Sequence, residues 1–258
     1  MTSSSSDQPR LAVLIDADNV SGDHAVALLA EVAEHGIATV KRAYGDWASG
    51  RLDKWQKQLH SNAIQPIQQF AYTQGKNATD SALIIDAMDL LYAGNVDGFV
   101  LVSSDSDFTP LAMRLRESGR VVFGIGKRST PRAFTEACDR FIFLEVLGVE
   151  EREAAPPSST PVELPNLQSI LTRAINATAQ DDGWASLSAV GTQLVRIESS
   201  FDVRLYNHAK LVDLAEAQNY VDVERKGNQP VRVRLRSARP PKKAPAKKTA
   251  AKKAQPSG

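Results

Sequence analysis

The chain has 258 residues, 42% of them apolar, and a net charge of +1, which is room for two domains and apolar content for a proper core. Its one cysteine, Cys138, excludes an internal disulfide framework and a cysteine-based zinc site, as expected in a reducing compartment. Met1 to Arg10 is polar and serine-rich, and no apolar run is long enough to span a bilayer, so a cytoplasmic protein with no membrane partner is expected.

Residues 1–9 are expected to be disordered and residues 10–149 to form one α/β domain. Leu11-Ile15, Ala38-Ala43, Ile64-Phe70, Gly98-Val102, Arg120-Ile125 and Arg140-Leu144 read as strands. Between them lie helices near Asp23-His35, Arg51-Ser61, Thr79-Tyr92, Thr109-Ser118 and Pro131-Ala137. Such alternation predicts a mostly parallel sheet with helices on both faces. Pro66 cannot donate to a ladder, which places the third strand at an edge.

Residues 150–165 hold four prolines among Ala, Ser and Thr, the composition of an extended linker that leaves its flanks free to move. From 166 to 236 come three amphipathic segments, Leu167-Thr178, Leu187-Ile197 and Asn207-Gln218, and then two alternating runs, Tyr220-Glu224 and Val231-Leu235. Three helices and a hairpin are the pattern of a small winged helix. Residues 237–258 are Lys, Ala and Pro and are expected to be disordered. Seven cations sit in the last 20 residues, so the body without them carries −6. Attraction to a polyanion is thereby delegated to the tail.

In an open α/β sheet the ligand site lies beyond the carboxyl ends of the strands. Two strands here end in paired acids, Asp16-Ala17-Asp18-Asn19 and Ser104-Asp105-Ser106-Asp107. Asp is also a preferred helix cap, and one residue of each pair fits that role, Asp107 best of all. Capping does not account for both pairs on neighbouring strands, whose charges would repel without a cation between them. Oxygen ligands without His or Cys select Mg²⁺ or Mn²⁺. His24, His35, His60 and His208 show no ligand spacing. Asp80 opens the helix Thr79-Tyr92 on its apolar stripe, with Leu83, Ile84, Ala87 and Leu91, where an acid is costly unless used, although an acid in the first turn also stabilises the helix dipole. Asp46, in Tyr44-Gly45-Asp46-Trp47, fits a ligand or a turn residue equally well.

Asp16-Ala17-Asp18-Asn19, Tyr44-Gly45-Asp46-Trp47, Lys76-Asn77-Ala78-Thr79-Asp80 and Ser104-Asp105-Ser106-Asp107-Phe108 resemble, in that order, the motifs of the NYN domain of the PIN-like nuclease superfamily. The resemblance implies a PIN-like Rossmannoid fold and hydrolysis of RNA to 5′-phosphate and 3′-hydroxyl ends. It implies Asp16, Asp80, Asp105 and Asp107 as metal ligands, with Asn19 and Asp46 beside them in the catalytic set. Lys76 and, at or near strand ends, Arg42, Lys127 and Arg128 are candidates to hold the RNA backbone. The segment Phe201 to Leu214 resembles the approach to the third helix of the OST-HTH or LOTUS domain, with Asn207 where that family often carries Gly. This second resemblance implies RNA binding and a possible protein partner. The alternating run Val231 to Arg236 puts Arg232, Arg234 and Arg236 on one strand face, either to meet phosphates or simply to be solvated.

The reading is thus a metal-dependent ribonuclease with an RNA-binding module. Two alternatives stand beside it. One is a non-catalytic RNA-binding scaffold. The other is a phosphatase of the haloacid-dehalogenase type, whose pattern Asp16-Ala17-Asp18-Asn19-Val20 also resembles and which would use one Asp as nucleophile. The RNA that is cut and the oligomeric state are not legible in the sequence.

Overall fold

The computed structural model describes residues 8–69, 78–148, 164–227 and 229–236. Residues 1–7, Phe70, Lys76 and Asn77, the linker as far as residue 163 and the basic tail lie outside them. The first unit runs β1 (Arg10–Asp16), α1 (Ala25–Ala33), β2 (Ile37–Gly45), α2 (Asp53–Ser61), β3 (Gln65–Gln68), α3 (Ala78–Ala93), β4 (Gly98–Val102), α4 (Thr109–Glu117), β5 (Val121–Gly126), α5 (Arg132–Ala137) and β6 (Arg140–Phe143). All six strands pair in parallel in the order β3-β2-β1-β4-β5-β6. Strand β3, with its Pro66, is at the edge as expected.

A parallel sheet covered on both faces needs apolar residues on both sides of its central strands. β1 supplies them by alternation. Leu11, Val13 and Ile15 pack with Leu28 and Val32 of α1 and Trp55 of α2, whereas Ala12 and Leu14 pack with Leu83 of α3, Leu111 of α4 and Phe134 of α5. Asp16 continues the second series and so leaves the strand on the α3–α4 side. Chain direction across the sheet reverses between β1 and β4, which makes their carboxyl ends the crevice where a doubly wound sheet takes its ligand.

The second unit is α6 (Leu167–Thr178), β7 (Ala185–Ser186), α7 (Leu187–Ile197), α8 (Leu211–Glu216), β8 (Val221–Glu224) and β9 (Arg232–Leu235). Its antiparallel sheet has the order β7-β9-β8, and its core gathers Leu171, Val190, Leu194, Leu214 and Val233. The third helix is shorter than the expected Asn207-Gln218. Residues Val203–Tyr206 form a 3₁₀ turn that stops at Asn207, whose φ of 62° is left-handed. Asn tolerates that conformation better than most residues, so it serves where Gly is common. β7 was not expected, since two residues are too few to show alternation.

The linker composition predicts independent units, but the described residues place them in contact. The Phe141 N–H of β6 donates to the Ser199 carbonyl at 2.9 Å, and the Ser199 hydroxyl donates to the Thr135 carbonyl at 2.7 Å. Arg204 donates to both Glu31 oxygens, at 2.9 and 3.2 Å, and to Asp202. Leu205 is buried in the α3–α5 core of the first unit. The Glu31 carboxyl is held down at about 2 by the His35 imidazole beside it, with Arg204 adding to the effect.

Candidate active site

The crevice is built by two loops and a helix start. After β1, the Asp16 carbonyl accepts from Asn19 N and Val20 N, which curls the chain into a turn. The buried Trp55 indole fixes that turn by donating to the Val20 carbonyl at 2.6 Å. After β4, Asp105 Oδ1 accepts from Asp107 N at 2.9 Å and caps the 3₁₀ turn Ser106–Phe108. The capping role expected of Asp107 therefore falls to Asp105. The loops are tied together by Asn19, whose Oδ1 accepts from Ser104 N at 3.0 Å. α3 is tied in by Thr79, whose hydroxyl donates to Asp18 at 3.1 Å.

Among the described residues, Asp80, Asp105 and Asp107 each offer a carboxylate oxygen within 4.8 Å of the others. Asp16 lies behind them, buried, with Oδ2 accepting from the Ser103 hydroxyl at 2.9 Å. Burial pushes the Asp16 carboxyl up to about 7; the Ser103 bond opposes the shift, and the charges of Asp80 and Asp18 reinforce it. Asp80 is raised as well, first by burial and then by Asp105, Asp107 and Asp18. The three clustered donors are all carboxylate oxygens, a set that fits a hard divalent cation. Asp16 is only 4% exposed, which leaves its carboxylate little access to a phosphoester as a phosphatase nucleophile.

The other residues read from the sequence are placed as follows. Asp46 caps a separate 3₁₀ turn, Trp47–Ser49, and accepts from Gln68 at 2.9 Å, apart from the three clustered acids. Lys76 lies outside the described residues. Arg42 is bound to Asp86 at 2.5 Å, and Tyr44 also donates to that carboxylate. Arg232 pairs with Asp182, and Arg234 and Arg236 pair with Asp222. Arg232 and Arg234 also lie over the Trp184 ring, 5.6 and 4.6 Å from its centre. Each wing arginine thus has an acidic partner, with Arg234 and Arg236 sharing Asp222, so three cations meet two acids on this face. Sequence reasoning missed Ser103, which joins the two loops by donating to Asp16 and accepting from Asp105 N at 3.1 Å. Its one signal is its place directly after β4. Gly126 faces it: a Cβ there would lie 2.5 Å from the Ser103 carbonyl, so only Gly lets β5 end this close.

The NYN domain family matches residues 10–145, the stretch that holds Asp16, Asp80, Asp105 and Asp107. The chain belongs to this family. Its NYN domain is followed by a match to the OST-HTH/LOTUS domain over residues 163–233. Solved structures similar to parts of the chain come from three bacteria. A Vibrio parahaemolyticus protein of unknown function is 19% identical over 55% of this chain and 94% of its own, with a TM-score of 0.43. An uncharacterized Nitrosomonas europaea protein is 23% identical over 35% of this chain and 95% of its own, with a TM-score of 0.27. A Chromobacterium violaceum protein is 36% identical over 30% of this chain and 87% of its own, with a TM-score of 0.25. No curated protein matches. Among the described residues of this NYN protein, no helix is long and apolar enough to cross a membrane.

Proposed function

We propose that this chain is a metal-dependent ribonuclease whose second unit helps to bind the RNA. The observation that carries the reading is the convergence of Asp80, Asp105 and Asp107 within 4.8 Å at the β1–β4 crevice, with Asp16 behind them. The nuclease superfamily of the NYN domain and the RNA-binding association of the OST-HTH domain support it.

In this reading Asp80, Asp105 and Asp107, with Asp16, would hold the cation, Mg²⁺ or Mn²⁺, and Ser103 would orient Asp16 and the Asp105 loop. Such an ion supplies Lewis-acid activation of water and neutralises charge at the scissile phosphodiester. Asn19 and Ser103 act as positioning residues by locking the two acidic loops to each other. Arg51, Lys54 and Lys127 line a cavity of about 550 Å³ that also includes Asp18 and Asn19, a place to seat backbone phosphates. The deciding experiment incubates the purified chain with RNA and DNA in EDTA, Mg²⁺ and Mn²⁺. RNA loss that needs the cation and disappears in Asp105→Asn is expected. Intact RNA in every condition would leave a binding scaffold as the function.

A further inference from the structure

We infer that the cleft between the two units takes a stretch of single-stranded RNA, a nucleotide's base in its apolar part and the backbone on its arginines. The inference rests on the ribonuclease reading for the identity of the polymer. The cleft is a cavity of about 410 Å³ to which both units contribute. Its apolar lining includes Phe143 of β6 and Ile197 of α7, and its cationic lining is Arg128, Arg132 and Arg173. An apolar floor with a cationic rim matches a nucleotide, which has a flat base and an anionic backbone.

Two of the three arginines have charge to spare. Arg132 is paired with Glu136 at 2.6 Å, and the acid in the lining, Glu198, accepts from the Ser200 hydroxyl at 2.7 Å. Arg128 forms no ion pair among the described residues. Its backbone N–H donates to Glu145, while its Nε is buried without a hydrogen-bond partner. With no ion pair among the described residues, the Arg128 guanidinium lining the cleft can offer its charge to a phosphate. Arg173, exposed on α6, likewise forms no ion pair among the described residues.

Continuity with the acidic crevice comes from the loop after β5. Lys127 lines the cavity beside Asp18 and Asn19, and its N–H donates to the Ser104 hydroxyl at 2.8 Å. The next residue, Arg128, lines the cleft between the units. Adjacent residues therefore face the two cavities, and a strand that leaves the carboxylates over Lys127 meets Arg128 next. A duplex keeps its bases stacked inside and has none to place in the cleft, so the path selects single strands.

The test measures binding of a labelled single-stranded oligoribonucleotide to the full chain in EDTA, where cation-dependent cleavage is off. Arg128→Ala with Arg173→Ala is expected to weaken binding roughly tenfold and to lower the salt slope by about 1.4, two phosphate contacts on a single strand. Arg114→Ala, an exposed arginine outside the cleft, is expected to change neither. Arg173→Glu alone should weaken the single strand more than a duplex of equal length. Unchanged affinity and slope in the double variant would overturn the inference, as would equal losses for single strand and duplex. If the cleft variants lose binding while the wild type never cuts RNA with Mg²⁺ or Mn²⁺, the ribonuclease reading fails and the cleft stands. If cleavage is robust and binding is indifferent to both arginines, the cleft fails alone.

Discussion

The Ser103 hydroxyl donates to Asp16 Oδ2 at 2.9 Å and so joins the ends of β1 and β4. The same oxygen accepts from Asp105 N, so one side chain orients a buried acid and the loop of the clustered acids. Ser103→Ala should cut activity about 10- to 100-fold, the usual cost of losing a partner that orients a ligand. Ser103→Thr, which keeps the hydroxyl, should recover part of it. Gly126→Ala should mimic the loss by pressing on the Ser103 carbonyl. Steady-state rates at several Mg²⁺ concentrations separate the cases, because a positioning defect raises the metal requirement. An unaltered metal dependence in Ser103→Ala would refute the assigned role.

Asp16, Asp80 and Asp105 are proposed to act as a unit. Each single Asn variant should lose at least about a hundredfold in rate, and the Asp80→Asn, Asp105→Asn double should be little worse than either. Multiplicative losses in the double would mean that the acids work independently.

Asp16 also sets a pH signature for the metal-free protein. Its folded value, about 7, lies above the ordinary 3.8. Folding therefore favours the protonated form, and the stability tied to this group is lost as pH rises from about 4 through 7. In EDTA at pH 8, Asp16→Asn should melt at least about 3 °C higher than wild type, and near pH 4 the gain should vanish. Thermal melts across that range, with and without Mg²⁺, read it directly. A lower melting temperature in EDTA at pH 8 would contradict the account.

Glu31 shows the opposite sign. Its folded value of about 2 lies below the ordinary 4.5, so its contribution is present above about pH 4.5 and is lost as pH falls toward 2. Glu31→Gln should cost about 2 kcal/mol at neutral pH, the scale of hydrogen bonds to charged groups. It should also flatten the acid limb of stability. Hydrogen exchange at the Phe141 amide, which donates to Ser199, should accelerate in the variant if Arg204 and Glu31 hold the units together. Unchanged exchange would show that Leu205 and the backbone contacts suffice.

Much of the first unit was legible because its physics is local. Unbroken apolar runs in Leu11 to Ile15 and Gly98 to Val102 specify central parallel strands, and Pro66 specifies an edge. Asp16 and Asp105 stood out because strand-end acids on neighbouring strands demand an explanation. Ser103 did not, since a serine after a strand looks like any turn residue until Asp16, 87 positions away, is placed against it. The partners of Arg232 and Arg204 were equally hidden, at separations of 50 and 173 positions. Strand alternation shows which face carries the wing arginines, but not that Asp182 and Asp222 sit there too.

The contact between Phe141 N and the Ser199 carbonyl has a consequence for biosynthesis. β3 carries Pro66 at one edge of the sheet, and at the other edge β6 is met by the second unit. During translation the first unit can form once residue 148 has left the ribosome, yet Ser199 emerges about fifty residues later, some seconds at ordinary elongation rates. For that interval the apolar segment Phe141, Ile142 and Phe143 ends the sheet uncovered, a template for pairing with another nascent chain. Chains truncated near residue 148 should therefore aggregate in proportion to their concentration on the ribosome, whereas a chain that carries Ser199 covers this border itself.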